Sequence, residues 1–342
     1  MAGFESPSIM EPIIDKQVPA AISLDVGATK IFAALINANG YVCSSKLINT
    51  QPDLGVQSVI DRMVSLIEEL ISHNNNDSYL LCSNILGIGI GIPGQIAPED
   101  GIVYDAVNLG WTEVHLNQEI KERLTIELPI WVETDTNAST MGEYYFGAAR
   151  GIRDFVYISI GSGLGGGLFI DNKLHIGANG KSAELGHLSL DPDGLMCVCG
   201  LRGCAETYVS GSGLINIVTE FLTANNYMTN LQAKSHITVP AIVSAARDKD
   251  ELALAALSKM GRKLGIIISS CLSILDPNLI VIGGGLGSAC YDLILPSVNE
   301  EIQRRVLPSI HNNVKILPSE QASSAHGAAS LVFYNSTGVL PQ

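Results

Sequence analysis

Positive charge is scarce in this sequence. Lys and Arg total 20 against 34 Asp and Glu, so the 342-residue chain carries a formal net charge of −14. A surface that acidic repels phosphate backbones and anionic lipid over its whole area, and no local basic cluster offsets it. Neither nucleic acid nor a membrane surface is expected as a partner. Long apolar runs are missing as well: the apolar stretches 155–170 and 264–275 are too short or too broken by Gly and Ser to span a bilayer. Residues 1–19 contain Glu5, Glu11 and Asp15 and lack both a basic start and a continuous apolar core, so they read as a flexible leader, not a secretory signal. A disulfide framework is also lacking. The seven cysteines are an odd number with three of them between 197 and 204, which points to reduced thiols, a metal site and a cytoplasmic location. Hydrophobic residues, at 46%, are by contrast ample for two buried cores, in keeping with about two domains at roughly 150 residues each.

The order of patterns is informative. Residues 21–26 and 31–36 are apolar β-rich runs separated by Gly27, Ala28, Thr29 and Lys30, and 41–48 supply a third after Asn39-Gly40, which predicts an antiparallel meander. Between 55 and 72, Val56, Val59, Ile60, Met63, Leu66, Ile67 and Leu70 recur at helical spacing, followed by a turn-rich 74–77. Strands at 85–92 and 129–133, with a helix at 116–124, complete an α/β unit. A comparable order restarts near Asp135: a helix over 137–149, strands at 155–160 and 165–171, then helices and a strand at 279–282. No sequence repeat accompanies it, so the duplication is inferred from element order alone. The helix expected over 251–275 is apolar nearly all round and should be buried. A strand at 314–317 and a helix at 323–334 end the pattern.

Residues 189–203 have no period, so something other than a hydrophobic core must hold them. His187, Cys197, Cys199 and Cys204 read H-x9-C-x-C-x4-C, one imidazole and three thiolates, which completes a tetrahedral zinc shell with no position left for water. Such a metal is structural. Three incidental thiols in a Gly-rich loop are the plainer reading. Asp25, Gly27, Thr29 and Lys30 lie where a strand enters a turn that either brings backbone N–H groups, a hydroxyl and a Mg²⁺-binding carboxylate to a phosphate or is an ordinary hairpin. A second Gly-rich turn, Gly161-Ser162-Gly163-Leu164-Gly165-Gly166-Gly167, also joins two apolar strands, and two such hairpins would clamp a polyphosphate from both sides. Gly283-Gly284-Gly285 either lets an adenine ring lie on bare backbone or makes a tight strand-to-helix connection. Neither it nor 161–167 satisfies the dinucleotide or P-loop pattern. Asp135 ends a strand, where it is either a base for a substrate hydroxyl or an N-cap. Glu184 and Glu206 flank the Cys-rich loop as sugar ligands or surface carboxylates.

Glu184-Leu185-Gly186-His187, continued through Cys197-Val198-Cys199-Gly200-Leu201-Arg202-Gly203-Cys204-Ala205-Glu206, fits the E-x-G-H and C-x-C-G-x-x-G-C-x-E signatures of the ROK family of sugar kinases and sugar-responsive repressors. The resemblance covers about 21–334. Leu24 to Lys30 resembles that family's phosphate hairpin, Gly91-Ile92-Pro93-Gly94 its sugar-side turn, 161–167 its second phosphate loop, and Asp276-Pro277 through Gly285 its adenosine segment. Ala28 stands where the hairpin usually has a second glycine, as in some non-catalytic repressors, and Thr134 stands where the family usually has Asn.

The resemblance implies an α/β, two-domain actin/hexokinase-like (ribonuclease H-like) ATPase fold with an irregular zinc-stapled loop. The smaller domain would comprise 20–135 plus 318–342 and the larger one 136–317. It implies Asp135 as catalytic base, with Asn108, Thr134, Glu184, His187, Glu206 and Gly94 at the sugar. Asp25, Gly27, Thr29, Lys30, Gly161, Ser162, Gly163, Gly284 and Gly285 would bind ATP with Mg²⁺. Zn²⁺ would sit on His187, Cys197, Cys199 and Cys204, with the imidazole's other nitrogen facing the sugar. Asn108-Leu109-Gly110-Trp111 resembles a segment of the family's glucokinases and tilts the expected reaction to glucose to glucose 6-phosphate. N-Acetylmannosamine, N-acetylglucosamine and fructose kinases are same-class alternatives, and a catalytically silent sugar-sensing regulator is the different-class one. The family's regulators resemble the kinase with an added helix-turn-helix, for which the roughly 20 residues before the first strand are too few. A homodimer or higher homo-oligomer is the family expectation.

Overall fold

The computed structural model describes residues 18–76, 84–224, 227–231, 237–320 and 324–337. The expected leader falls almost wholly outside these residues, as does Asp77 of the expected turn. The first unit opens as the predicted meander, β1 (Ala20–Val26), β2 (Lys30–Asn37) and β3 (Val42–Asn49), followed by α1 (Val56–Asn76) and β4 (Ile85–Ile92). Its next elements are β5 (Gln95–Ala97), β6 (Ile102–Ala106), β7 (Trp111–His115), α2 (Leu116–Arg123) and β8 (Ile130–Thr134). The second unit runs through α3 (Asp135–Phe146), β9 (Phe155–Ile160), β10 (Leu164–Ile170), β11 (Lys173–Leu174), α4 (Gly211–Ala224), α5 (Val239–Arg247) and α6 (Glu251–Leu275). It continues with β12 (Leu279–Gly283), α7 (Gly285–Arg305), α8 (Pro308–His311), β13 (Lys315–Pro318) and α9 (Ser324–Thr337).

Two five-stranded sheets carry the same topology. One has the order β3-β2-β1-β4-β8 and the other β11-β10-β9-β12-β13. In each, a hairpin meander supplies three antiparallel strands and a parallel pair extends the sheet from the meander's first strand. The central strands β1, β4, β9 and β12 are apolar without alternation because helices cover both faces. Asp135 starts the second round, where the element order places it.

Three hydrophobic cores follow from this layering. One lies between the first sheet and α1, α2 and the small β5-β6-β7 sheet, and another between the second sheet and α4 to α7. The third is sandwiched between the sheets: α3 and α9 bring Met141, Tyr144, Tyr145, Ala329 and Phe333 against Ala21 and Ile36 on one side and Phe155, Phe169 and Val281 on the other. The C-terminal helix therefore packs on the first sheet, so closely that a side chain at Gly89 of β4 would run into the Ala328 backbone. The buried helix at 251–275 matches α6. Three local readings need correction. Asn74 to Asn76 extend α1 as a helix, because a polar last turn keeps helical dihedrals when the preceding turns are packed. The helix expected at 137–149 begins at Asp135 and ends at Phe146, capped by Gly147. Residues 95–115, given no strand, form the small sheet.

Candidate active site

A cavity of about 370 Å³ opens between the two sheets. Its walls come from the carboxyl end of β1 (Asp25), the start of α3 (Asp135, Thr136, Ser139) and β9 (Tyr157, Ser159). The connection from β12 into α7 (Gly284, Gly285, Ser288), Ser319 just past β13, and the first residue of α9, Ser324, complete it. Parallel strands thus end at the cavity and three long helices begin there. Open α/β sheets bind ligands at such a crevice, and the free N–H groups and dipoles of helix N-termini favour anionic ones.

Its electrostatics are set by two carboxylates. Asp135 is exposed toward the cavity, yet desolvation by the protein around it pushes its carboxyl above the usual range against the pull of the Thr136 N–H and hydroxyl. Burial likewise raises Asp25; the Ser324 hydroxyl, which donates to its Oδ2, offsets part of this, and the nearby Asp135 charge adds to it. Burial, then the charge of Glu143, pushes the Tyr157 phenol up to about 12, so it stays a proton donor at neutral pH. Among the described residues, no Lys, Arg or His lines the cavity. A polyphosphate there would need a divalent cation, and the carboxylate and hydroxyl oxygens are the hard donors that Mg²⁺ takes.

Asp135 does not cap α3. Thr134 is the N-cap, its Oγ1 accepting the Asn137 N–H at 3.1 Å, while Asp135 is the first helical residue with Oδ1 held by the Thr136 N–H at 2.7 Å. The capping reading of Asp135 is therefore replaced by one for Thr134.

The glycines divide by surroundings. Gly284 has φ +77°, and a Cβ there would lie 2.5 Å from the Ile160 carbonyl oxygen, so the fold itself requires glycine. At Gly285 a Cβ would meet nothing within 4 Å: its bareness leaves room in the cavity. The turn after β9 is confined to Gly161, Ser162 and Gly163; Gly165 and Gly167 already belong to β10, where α3 packs directly on them through Thr136 and Thr140. In the first hairpin, the Gly27 N–H donates to the Lys30 carbonyl at 2.9 Å, the Thr50 hydroxyl donates to the Gly27 carbonyl at 2.6 Å, and Thr29 and Lys30 are exposed.

In the Cys-rich loop, His187, Cys197, Cys199 and Cys204 converge with their ligand atoms within 4.8 Å of one another. Cys199 and Cys204 sulfurs stand 3.7 Å apart, close to the ~3.8 Å edge that Zn–S bonds of about 2.3 Å give in a tetrahedron. His187 turns Nδ1 to Cys197 Sγ at 4.0 Å and Nε2 to Glu184 at 4.0 Å, so its two nitrogens face different groups. The donor set fits zinc. Cys197, Cys199, Cys204, Cys271 and Cys290 are free thiols, whereas Cys43 is disulfide-bonded, a departure from the expectation of reduced cysteines. Glu206 accepts the Leu164 N–H at 2.9 Å, tying the Cys-rich loop to the turn between β9 and β10. Glu184 is exposed. Asn108 is exposed on a short 3-10 turn between β6 and β7, and Gly94 is pressed against the Asp105 carbonyl. Sequence reasoning overlooked Thr136, Ser139, Tyr157, Ser159, Ser288, Ser319 and Ser324, polar residues scattered over several elements with no common spacing.

With this geometry in place, the sequence model of the ROK family matches residues 21–334. The chain belongs to the ROK family. A glucokinase of Halalkalibacterium halodurans is 31% identical over 84% of this chain and 87% of its own. The structure of a ROK family glucokinase from Streptomyces griseus in complex with glucose and AMPPNP aligns with TM-score 0.75 at 30% identity, over 91% of this chain and 98% of its own. A ROK family transcriptional regulator, a homolog of the E. coli MLC protein, aligns with TM-score 0.82 at 28% identity, over 93% of this chain and 78% of its own. This ROK protein thus has both kinases and regulators among its relatives. No helix among the described residues is long and apolar enough to cross a membrane.

Proposed function

We propose that this ROK protein is an ATP-dependent hexose kinase that makes glucose 6-phosphate from glucose. The observation that carries the reading is the shared cavity, in which Asp25 and Asp135 face the bare backbone of Gly285 amid hydroxyls and helix N-termini. Asp135 takes the proton of the attacking sugar hydroxyl, and desolvation by the surrounding protein makes it a stronger base than a free Asp. Asp25, with cavity hydroxyls, would hold Mg²⁺, which would supply neutralisation of charge on the phosphates. The turns at Gly27, Thr29 and Lys30 and at Gly161, Ser162 and Gly163 present N–H groups to those phosphates, while Gly284 and Gly285 pass under the adenosine. Asn108, Thr134, Glu184, His187, Glu206 and Gly94 surround the sugar. His187, Cys197, Cys199 and Cys204 would hold a structural Zn²⁺, which would fix the imidazole, and His187 would turn its other nitrogen to a sugar hydroxyl. Domains of 20–135 plus 318–342 and of 136–317 close over both substrates and exclude water, which would otherwise compete with the hydroxyl.

A coupled ADP-release screen across glucose, fructose, mannose and N-acetylated hexosamines tests the reading. Hexose-dependent ADP release is the expected result. The likeness to the regulator favours a second reading, a sugar sensor without turnover; sugar binding with no ADP release for any sugar would establish that instead.

Two further outcomes are expected. Purified, active protein should contain about one zinc per chain by metal analysis, and less than about a tenth of an equivalent in fully active protein would remove the metal from the scheme. Gly284→Ala should lower stability by about 2–5 kcal/mol, from strained φ plus overpacking against Ile160. Gly285→Ala should leave the melting temperature within about 2 °C yet raise the KM for ATP on the order of tenfold. Equal effects of the two substitutions would mean that Gly285 serves only the fold.

A further inference from the structure

The geometry points to Glu133 as the positioning residue for Asp135, an inference that rests on the kinase reading above. Glu133 precedes Asp135 by two positions at the end of β8, is only 6% exposed, and has no role in the scheme so far. Its side chain folds back along the chain. Oε1 accepts the Thr134 N–H at 2.9 Å and the Asn137 side-chain amide at 3.0 Å. One buried oxygen therefore ties down the residue before Asp135 and the residue two positions after it.

This junction needs holding. Between Thr134 and Asp135 the backbone changes from strand to helix, and the first turn of a helix lacks the intrahelical bonds that stiffen later turns. Thr134 Oγ1 already accepts the Asn137 N–H, so Glu133, Thr134 and Asn137 form a closed ring of hydrogen bonds around the Asp135 backbone. Within it, Thr136 fixes Asp135 Oδ1 through its N–H at 2.7 Å and its hydroxyl at 3.2 Å, which leaves Oδ2 for the sugar hydroxyl. A carboxylate is costly to bury, and burial raises Glu133 above the usual range. An apolar residue would fill the space at the end of β8 without that cost. What only an acceptor supplies is the direction of the Asp135 side chain, and a displacement of about 1 Å at a reacting group is worth on the order of a hundredfold in rate.

The test uses the full-length protein with glucose and MgATP. Glu133→Gln keeps a carbonyl oxygen able to accept both donors, whereas Glu133→Ala leaves them unpaired. Asn137→Ser, which removes one contact and retains the backbone N–H, serves as the milder variant should the alanine protein fail to fold. The expected pattern is a fall in kcat of about thirtyfold or more for Glu133→Ala, about five- to tenfold for Asn137→Ser, and less than threefold for Glu133→Gln. Glucose affinity by calorimetry should stay within about fivefold throughout. The inference is overturned if the glutamine variant loses as much turnover as the alanine variant, or if the losses appear in KM or melting temperature with kcat unchanged. A wild-type protein with no phosphoryl transfer, or an Asp135→Asn protein with undiminished turnover, would instead strike down the kinase reading and the role of Glu133 with it.

Discussion

Asp135→Asn is expected to lower hexose-dependent ADP release by roughly 10²- to 10⁴-fold, the usual range for losing a general base. Sugar affinity measured by calorimetry should stay within about tenfold of wild type, because the amide still fills the space and can hydrogen-bond the hydroxyl. Stability should move in the opposite direction from activity. The folded-state carboxyl of Asp135 is raised above its unfolded value, so the folded protein holds that proton more tightly than the unfolded chain does. Stability is then lost as pH rises from the unfolded value through the folded one, and the cost is complete above both. The asparagine protein, which never carries the charge, should therefore melt no lower than wild type at neutral pH. For the same reason, the acid limb of wild-type kcat/KM should lie above the ordinary Asp range. Near-normal turnover in Asp135→Asn would leave Asp135 as merely the first residue of α3.

Much of this arrangement is written in local pattern. The repeating meander, the buried α6 and the placement of Asp135 at a strand-to-helix junction follow from the spacing of apolar residues, since packing between sheets and helices enforces those periods. The small sheet does not. Its strands are three to five residues long, too short to show alternation, and turns at Gly94, Gly101 and Gly110 read as loop. The glycines show a different limit. Gly284 and Gly285 are neighbours of one type in one motif, yet one is required by Ile160 and the other by empty space, a difference that exists only once β9 and β12 lie side by side. The polar lining is similar: Ser159, Ser288, Ser319 and Ser324 come from four separate places in the chain, and no spacing connects them. The cap is a further limit: Asp ranks above Thr as an N-cap residue, so propensity alone favours Asp135, and only the contact of Thr134 Oγ1 with the Asn137 N–H decides for Thr134.

Glucose should exceed N-acetylmannosamine and fructose in kcat/KM by about a hundredfold or more, equivalent to roughly 2.7 kcal/mol. The proposed ligands Asn108, Glu184, His187 and Glu206 are polar, and a polar site discriminates by what a wrong epimer leaves unpaired, provided that water is excluded. That condition matters here because Glu184 is 60% exposed and Asn108 also faces solvent; only closure over the sugar would desolvate them. Thr134 sets the sharpest constraint. Its oxygen already accepts the Asn137 N–H, so on this short arm one acceptor site is used and the hydroxyl proton with one lone pair is left for the sugar. An Asn at that place would reach further. Replacing Thr134 with Asn should consequently raise the preference for glucose, although it also exchanges one capping side chain for another, which keeps the helix start intact. Should an acylated hexosamine rank first in the wild-type protein, the shorter Thr134 would be making room for the acyl group. The glucose assignment would then be wrong, while membership of the ROK family and the role of Asp135 would stand.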